Sequence, residues 1–106
     1  MHFLKKKSDY DLLRKSTNKR VSKLFLVVFL KDERFNEPHF GITVSKKVGH
    51  AVVRNKVKRR IRAFLRNGVD ISHCQYSMYN IIALPSVVGV AWDDFCDDLT
   101  KCLSKI

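Results

Sequence analysis

The sequence lacks the features that mark most metal sites, nucleotide sites and secreted folds. Its three cysteines are odd in number and have no metal-ligand spacing, so we predict reduced thiols rather than disulfides or zinc ligands. The four histidines are scattered without an HxxxH pattern, and no glycine-rich phosphate loop is present. Internal repeats and low-complexity segments are absent as well.

Long apolar runs are also missing. The continuous stretch LFLVVFL at residues 24–30 is far shorter than the roughly 18 residues of a membrane-spanning helix. Residues 1–7 are basic and have no apolar region behind their charges, so we expect a mobile tail rather than a signal peptide. Together these observations predict a cytoplasmic protein without a membrane partner.

Acidic residues are scarce where basic residues are dense. Residues 1–66 carry 19 Lys or Arg and 5 Asp or Glu, whereas residues 67–106 carry 2 and 5. With 45% apolar residues, the 106-residue chain can bury a modest core and is predicted to form one domain, residues 1–106. The concentrated positive charge favours a polyanionic partner, with nucleic acid as the first candidate.

The densest basic stretch, SKKVGHAVVRNKVKRRIRAFLR at residues 45–66, holds nine Lys or Arg and no acidic residue. From Ala51 onward its apolar residues recur at the spacing of one helical face, which predicts an amphipathic helix. Like charges at i and i+4, such as Arg54 with Lys58, destabilise an isolated helix, and early cations oppose its dipole. Folding alone would not select this arrangement, so the sequence predicts an RNA- or DNA-binding surface.

The remaining pattern predicts a small α+β domain. We expect a helix over residues 9–16 capped by Ser8 or Asp9, strands over residues 24–31, 39–45 and 78–84, and a final amphipathic helix over residues 91–106. The second strand is expected to run antiparallel to the first, and the polar segment 16–23 to be a connection. The order is α-β-β-α-β-α, with room for one further strand, which suggests helices packed on one sheet.

An intrinsic active site is not apparent in this pattern. The acidic residues of the basic two thirds are few, and Asp9 and Asp11 diverge on a helix because they are two positions apart. A two-metal nuclease needs several carboxylates converging on ions about 4 Å apart. We therefore predict no catalytic residue and no metal ligand in this polypeptide.

The basic helix resembles a known family, the protein subunit of bacterial ribonuclease P. That family carries an Ala-Val-x-Arg-Asn-Arg-x-Lys-Arg-x-x-Arg run, which stands here as AVVRNKVKRRIR at residues 51–62. The preceding GITVSKKVG at residues 41–49 is similar to the family's strand and loop into that helix. LKKKSDYDLL, LFLVVFL and YNIIALP are similar to further family segments, so the resemblance extends over nearly the whole chain.

This resemblance implies an α-β sandwich with a left-handed β-α-β crossover. It also implies an RNA subunit that removes the 5′ leader of precursor tRNA with Mg²⁺ bound mainly by that RNA, and none bound by the protein alone. The residues implied to contact catalytic RNA are Ser45, Lys46, Lys47, Arg54, Asn55, Lys56, Lys58, Arg59, Arg60, Arg62 and Arg66. The residues implied to line a cleft for the single-stranded leader are Tyr10, Arg14, Phe25 and Phe29.

Three positions depart from the family pattern, one of them Leu84, which precedes Pro85 where the family usually has a basic residue. Lys56 replaces an arginine, which keeps the charge but loses the planar fork for bidentate phosphate contact. Arg14 stands about where a second cleft aromatic is common. A structural RNA-binding protein of the ribosomal or assembly type is the alternative that composition allows. A DNA-binding domain fits less well, because the helix offers few short polar side chains for base readout besides Asn55.

Overall fold

In the computed structural model, which describes residues 2–67 and 75–106, five strands form one mixed sheet with helices on both faces. The elements are β1 (His2–Phe3), α1 (Lys7–Arg14), β2 (Lys19–Val21), β3 (Phe25–Leu30), β4 (His39–Thr43), α2 (Ala51–Arg66), β5 (Met78–Ala83) and α3 (Trp92–Ser104), with a 3-10 turn at Pro85–Val87. The strand order is β1-β4-β5-β3-β2. The predicted α+β sandwich is therefore confirmed.

The apolar strand β3 has its two faces covered by different helices. Phe25, Val27 and Phe29 join the main core with residues of α2 and α3. Val28 joins a smaller cluster with Leu13 of α1 and neighbouring apolar residues. Because side chains alternate along a strand, one continuous apolar run serves both layers of the sandwich.

The central strand β5 explains why the first two long strands do not pair. It lies between β3, to which it is antiparallel, and β4, to which it is parallel. β4 therefore runs antiparallel to β3, as predicted, although the two strands are separated by β5. Helix α2 is the crossover between the parallel strands β4 and β5, as the resemblance implied, and the handedness of that crossover stays a prediction.

Two segments predicted to be irregular are strands. The polar connection over residues 16–23 contains β2, which pairs antiparallel with β3 although all three of its residues are exposed. Residues 2–7 are not a mobile tail, because His2 and Phe3 pair in parallel with β4 and Leu4 N–H donates to the Phe40 carbonyl at 2.8 Å. Both segments are held by backbone hydrogen bonds at an edge of the sheet, and the side-chain pattern of the sequence does not reveal such bonds.

A side chain of α3 fastens this helix to the β2–β3 turn. The Asp98 carboxylate accepts hydrogen bonds from the Ser22 hydroxyl at 2.6 Å and from the Leu24 N–H at 3.0 Å. Hydrogen bonds to a charged group are stronger than those between neutral groups. Asp98 therefore holds the turn against α3.

We predict that Asp98→Ala lowers the free energy of unfolding by about 1.5–3 kcal/mol, because it removes two charge-assisted hydrogen bonds. Urea unfolding followed by circular dichroism measures the change. The matched control is Asp97→Ala, since Asp97 is exposed on the same helix. Equal stabilities of the two variants would contradict the role of Asp98.

Candidate nucleic-acid interface

Helix α2 has one buried face and one cationic face. Val57, Ile61, Phe64 and Leu65 are buried against the sheet, as the periodicity predicts. The exposed polar residues of the helix are Asn55, Lys56, Arg59, Arg62 and Arg66. Ser45, Lys46 and Lys47 are exposed in the loop that leads into it. The structure thus brings most of the predicted catalytic-RNA contacts onto one solvent-facing surface.

The beginning of α2 is built to attract anions. Its first turn contains no acidic residue, and His50 at the N-cap makes no side-chain capping hydrogen bond. The first N–H groups of a helix lack intrahelical partners and carry the positive end of the dipole. Lys46 and Lys47 precede this end in the chain and Lys56 follows it, and all three are exposed, so the helix dipole and these cations have the same sign.

Arg54 has an unsatisfied nitrogen within this surface. The side chain is partly buried, and its Nε has no hydrogen-bond partner within residues 2–67 and 75–106. A buried N–H without a partner costs free energy. Because this nitrogen is also shielded from solvent, a ligand could reach it only if the Arg54 side chain moved.

Arg60 differs from the other cations because it is fixed within the protein. Its Nη1 donates to the Val90 carbonyl at 2.6 Å, and its guanidinium lies over the Phe95 ring at 5.8 Å from the centroid. Arg60 consequently joins α2 to the segment before α3. Any contact that it makes with RNA uses its remaining N–H groups.

A cleft of about 220 Å³ lies on the opposite face of the sheet, beside α1. It is lined by Tyr10, Leu13, Arg14, Lys19, Leu26, Val28, Thr43, Asn80 and Ile82. Tyr10 and Arg14, two of the residues that the resemblance implies for a cleft, are among these lining residues. Lys19 adds a second cation, so the walls are aromatic and basic while the floor is largely aliphatic.

Phe25 and Phe29, by contrast, do not line this cleft. Phe25 is completely buried with its ring packed edge-on against Phe95, and Phe29 packs against Tyr76 in the same core. The prediction placed them on the wrong face of β3. The alternation of side chains gives the cleft floor to Leu26 and Val28 instead.

Gly41 allows the Tyr10 ring to lie against the sheet. A Cβ atom at position 41 would stand 2.6 Å from Cε1 of Tyr10, closer than carbon atoms approach. The Tyr10 hydroxyl also points to the Leu4 carbonyl at 3.4 Å. Because Gly41 has no side chain, the Tyr10 ring can pack against β4 and form the aromatic wall of the cleft.

The cleft floor contains one polar pair that sequence reasoning missed. The Thr43 hydroxyl donates to Oδ1 of Asn80 at 3.0 Å, and Asn80 is only 9% exposed. The available signal was a polar residue inside the apolar run MYNIIA of β5. This pair places hydrogen-bonding groups among the aliphatic side chains of the floor.

Three acidic residues of the basic two thirds pair with arginines. Arg34 pairs with Asp9 at 3.0 Å and Asp32 at 2.8 Å, and its hydrogen bonds lower the pKa of the Asp32 carboxyl. Asp11 pairs with Arg14 at 3.3 Å, and Glu37 with His2 at 2.5 Å. Within the described ranges, no three His, Cys, Asp or Glu side chains are placed to hold a metal ion.

The cysteines show no reactive character in the part of the chain described. Cys102 is buried and Cys96 partly buried, both are free, and desolvation is the main cause that raises the pKa of each thiol. Cys74 lies outside the described residues. Among the helices described, none is long and apolar enough to cross a membrane.

Comparison with known proteins gives one consistent family. The ribonuclease P protein component of Carboxydothermus hydrogenoformans is 42% identical over 65 residues, which are 60% of this chain and 56% of that relative. The component of Desulforapulum autotrophicum is 34% identical over 97% of this chain and 86% of its own length. The ribonuclease P protein structure from Staphylococcus aureus superposes with a TM-score of 0.85 at 28% identity, covering 99% of this chain and 94% of that one.

The family model described as Ribonuclease P matches residues 1–106. The matched span includes both the cationic helix α2 and the cleft beside α1. The chain therefore belongs to the ribonuclease P protein family.

Proposed function

We propose that this chain is the protein component of a bacterial ribonuclease P, and that it acts in the removal of the 5′ leader from precursor tRNA. The observation that carries the proposal is the acid-free cationic surface of α2 in a chain of this family. The RNA subunit supplies the catalysis, and the protein is a subunit of the endoribonuclease. A cytoplasmic location is part of the proposal.

In this proposal, α2 and the loop before it bind the catalytic RNA. The exposed cations replace counterions along the phosphate backbone, which is the main source of affinity in such complexes. The apolar stripe of α2 packs the helix against the core, so these cations stand on a rigid element. Binding RNA therefore costs less conformational entropy than it would for cations on a flexible tail. Asn55, exposed in the second turn, can hydrogen-bond a phosphate or a metal-bound water.

The cleft on the other face of the sheet is proposed to hold the single-stranded leader. The Tyr10 ring can stack on a base, while Arg14 and Lys19 lie where they can contact the flanking phosphates. Asn80 and Thr43 can hydrogen-bond a base edge at the floor. Because α2 and the cleft lie on opposite faces of one sheet, the protein can contact two RNAs at once.

Mg²⁺ is proposed to be bound mainly by the RNA subunit. The carboxylates Asp9, Asp11 and Asp32 each form an ion pair with an arginine, and this supports assigning the metal-dependent chemistry elsewhere. No membrane or DNA partner is part of the proposal.

A cleavage assay tests the function directly. Precursor tRNA is incubated at low Mg²⁺ with a bacterial ribonuclease P RNA, with this protein, or with both. We expect the mature 5′ end only when both are present, because the protein neutralises phosphates that Mg²⁺ would otherwise have to screen. Binding without any change in cleavage would favour the structural RNA-binding protein, and cleavage by protein alone would overturn the assignment of catalysis.

Charge reversal on α2 tests the RNA-binding surface. We predict that the double variant Arg59→Glu and Arg62→Glu binds the catalytic RNA at least about 100-fold more weakly at moderate salt, because it removes two phosphate contacts and adds repulsion. Filter binding over a range of salt concentrations measures the affinity. Both side chains are exposed, so circular dichroism should show an unchanged fold.

The matched control makes the same change in net charge on another helix. Lys101→Glu with Lys105→Glu alters the end of α3, near Arg20 on the far edge of the sheet. We expect this control to lose much less affinity. Equal losses would mean that net charge, rather than the α2 surface, determines binding.

Removal of the cleft aromatic tests the leader site. We predict that Tyr10→Ala weakens binding of precursor tRNA to the holoenzyme by about 5- to 150-fold, the equivalent of one base-stacking contact. Mature tRNA, which has no leader, should bind equally well to both holoenzymes. The control Leu12→Ala changes an exposed residue of α1 that does not line the cleft, and a similar loss there would contradict the role of Tyr10.

A further inference from the structure

A second groove borders the cationic helix and is not used by the function proposed above. It has a volume of about 430 Å³, within the usual range for small-ligand pockets. It lies between the first turns of α2 and the segment before α3. It is lined by Val52, Val53, Lys56, Val57, Arg60, Val87, Val88, Gly89, Val90 and Ala91.

Apolar side chains at this groove are unusually exposed. Val52 is 80% exposed and Val88 is 48% exposed, although Val52 lies in a helix whose other exposed residues are mainly cationic. On the opposite wall, a Cβ atom at Gly89 would meet no other atom within 4 Å, so this part of the groove is open. Both valines line the same groove, so one occupant could cover both side chains.

The charged groups at the groove are all cationic. Lys56 is exposed on one wall, and Arg60 is held in place by its hydrogen bond to the Val90 carbonyl. The groove lining includes no acidic residue. An occupant should therefore combine a flat or compact apolar part with an adjacent negative charge, which is the chemistry of a nucleotide.

We propose that this groove receives one unstacked nucleobase of the catalytic RNA, with Lys56 and Arg60 contacting the phosphate beside it. The inference rests on the proposed function, in which that RNA lies along α2. The base packs against Val52 and Val88, and its burial removes their apolar surface from water. The groove thus anchors the RNA through a contact that phosphate neutralisation does not supply.

The valines can be tested without disturbing the core, because both are exposed. The double variant Val52→Ser and Val88→Ser should bind a bacterial ribonuclease P RNA at least about 5-fold more weakly than the wild-type protein. The slope of log affinity against log salt should stay the same, because no phosphate contact is lost. Lys56→Ala should instead make that slope shallower by about 0.9.

Val21→Ser serves as the matched control. Val21 is 66% exposed on the edge strand β2 and does not line the groove, so this variant should bind the RNA as the wild-type protein does. Urea unfolding of all variants checks that the fold is retained.

Chemical probing of the RNA identifies the base itself. Binding of wild-type protein should protect the edge of one unpaired nucleotide from dimethyl sulfate or carbodiimide. The valine double variant should lose that protection, and Val21→Ser should keep it. The inference would be overturned if the double variant bound the RNA as tightly as the wild-type protein, or if it still protected the same base. A protein partner would then be the alternative occupant of the groove.

Failure of the proposed function gives a different result. In that case the wild-type protein would neither bind this RNA nor stimulate cleavage, which would overturn the inference together with the function. Wild-type binding and cleavage with an unaffected double variant would overturn the groove alone.

Discussion

The burial of one stripe of α2 is the constraint on which the rest of the molecule depends. Val57, Ile61, Phe64 and Leu65 pack into the core, and each contributes about 1.5–3 kcal/mol when removed from water. Each like-charge pair along the helix costs only about 0.2–0.5 kcal/mol. Core packing therefore outweighs the repulsion, and the helix can carry a cationic surface that it could not maintain alone.

The two faces of the sheet have different environments, because one is a packed core and the other carries an open cleft. The face under α2 and α3 is filled by aromatic and aliphatic side chains such as Phe25 and Tyr79. The other face is covered by α1 only in part, which leaves Leu26, Thr43 and Asn80 at the floor of a cleft. Register alone decides which residue meets which environment, because neighbouring positions of a strand point to opposite faces.

Sequence patterns predicted the helices and the long strands well, because these elements bury regular apolar stripes. The cap of α1 was predicted wrongly, because the helix begins at Lys7 with Lys6 at the N-cap, and Ser8 and Asp9 lie inside it. Helix α2 begins at the predicted residue, Ala51, and β5 begins at the predicted residue, Met78. The edge strands β1 and β2 were missed, since they are held by backbone hydrogen bonds to partners distant in sequence. Of the four residues predicted for the cleft, Tyr10 and Arg14 line it, whereas Phe25 and Phe29 do not. An apolar run such as LFLVVFL does not reveal which of its faces a helix leaves open.

The close approach of Tyr10 to Gly41 has a consequence for how the sequence can vary. A methyl group at position 41 would occupy the space of the aromatic ring, so this position cannot gain a side chain while Tyr10 keeps its place. A larger residue on β4 would require a smaller or displaced side chain on α1, and the cleft would then lose its aromatic wall. The shape of the cleft is thus encoded jointly by one glycine in the sheet and one tyrosine in the helix, and chains with a larger residue at position 41 should show a compensating change at position 10.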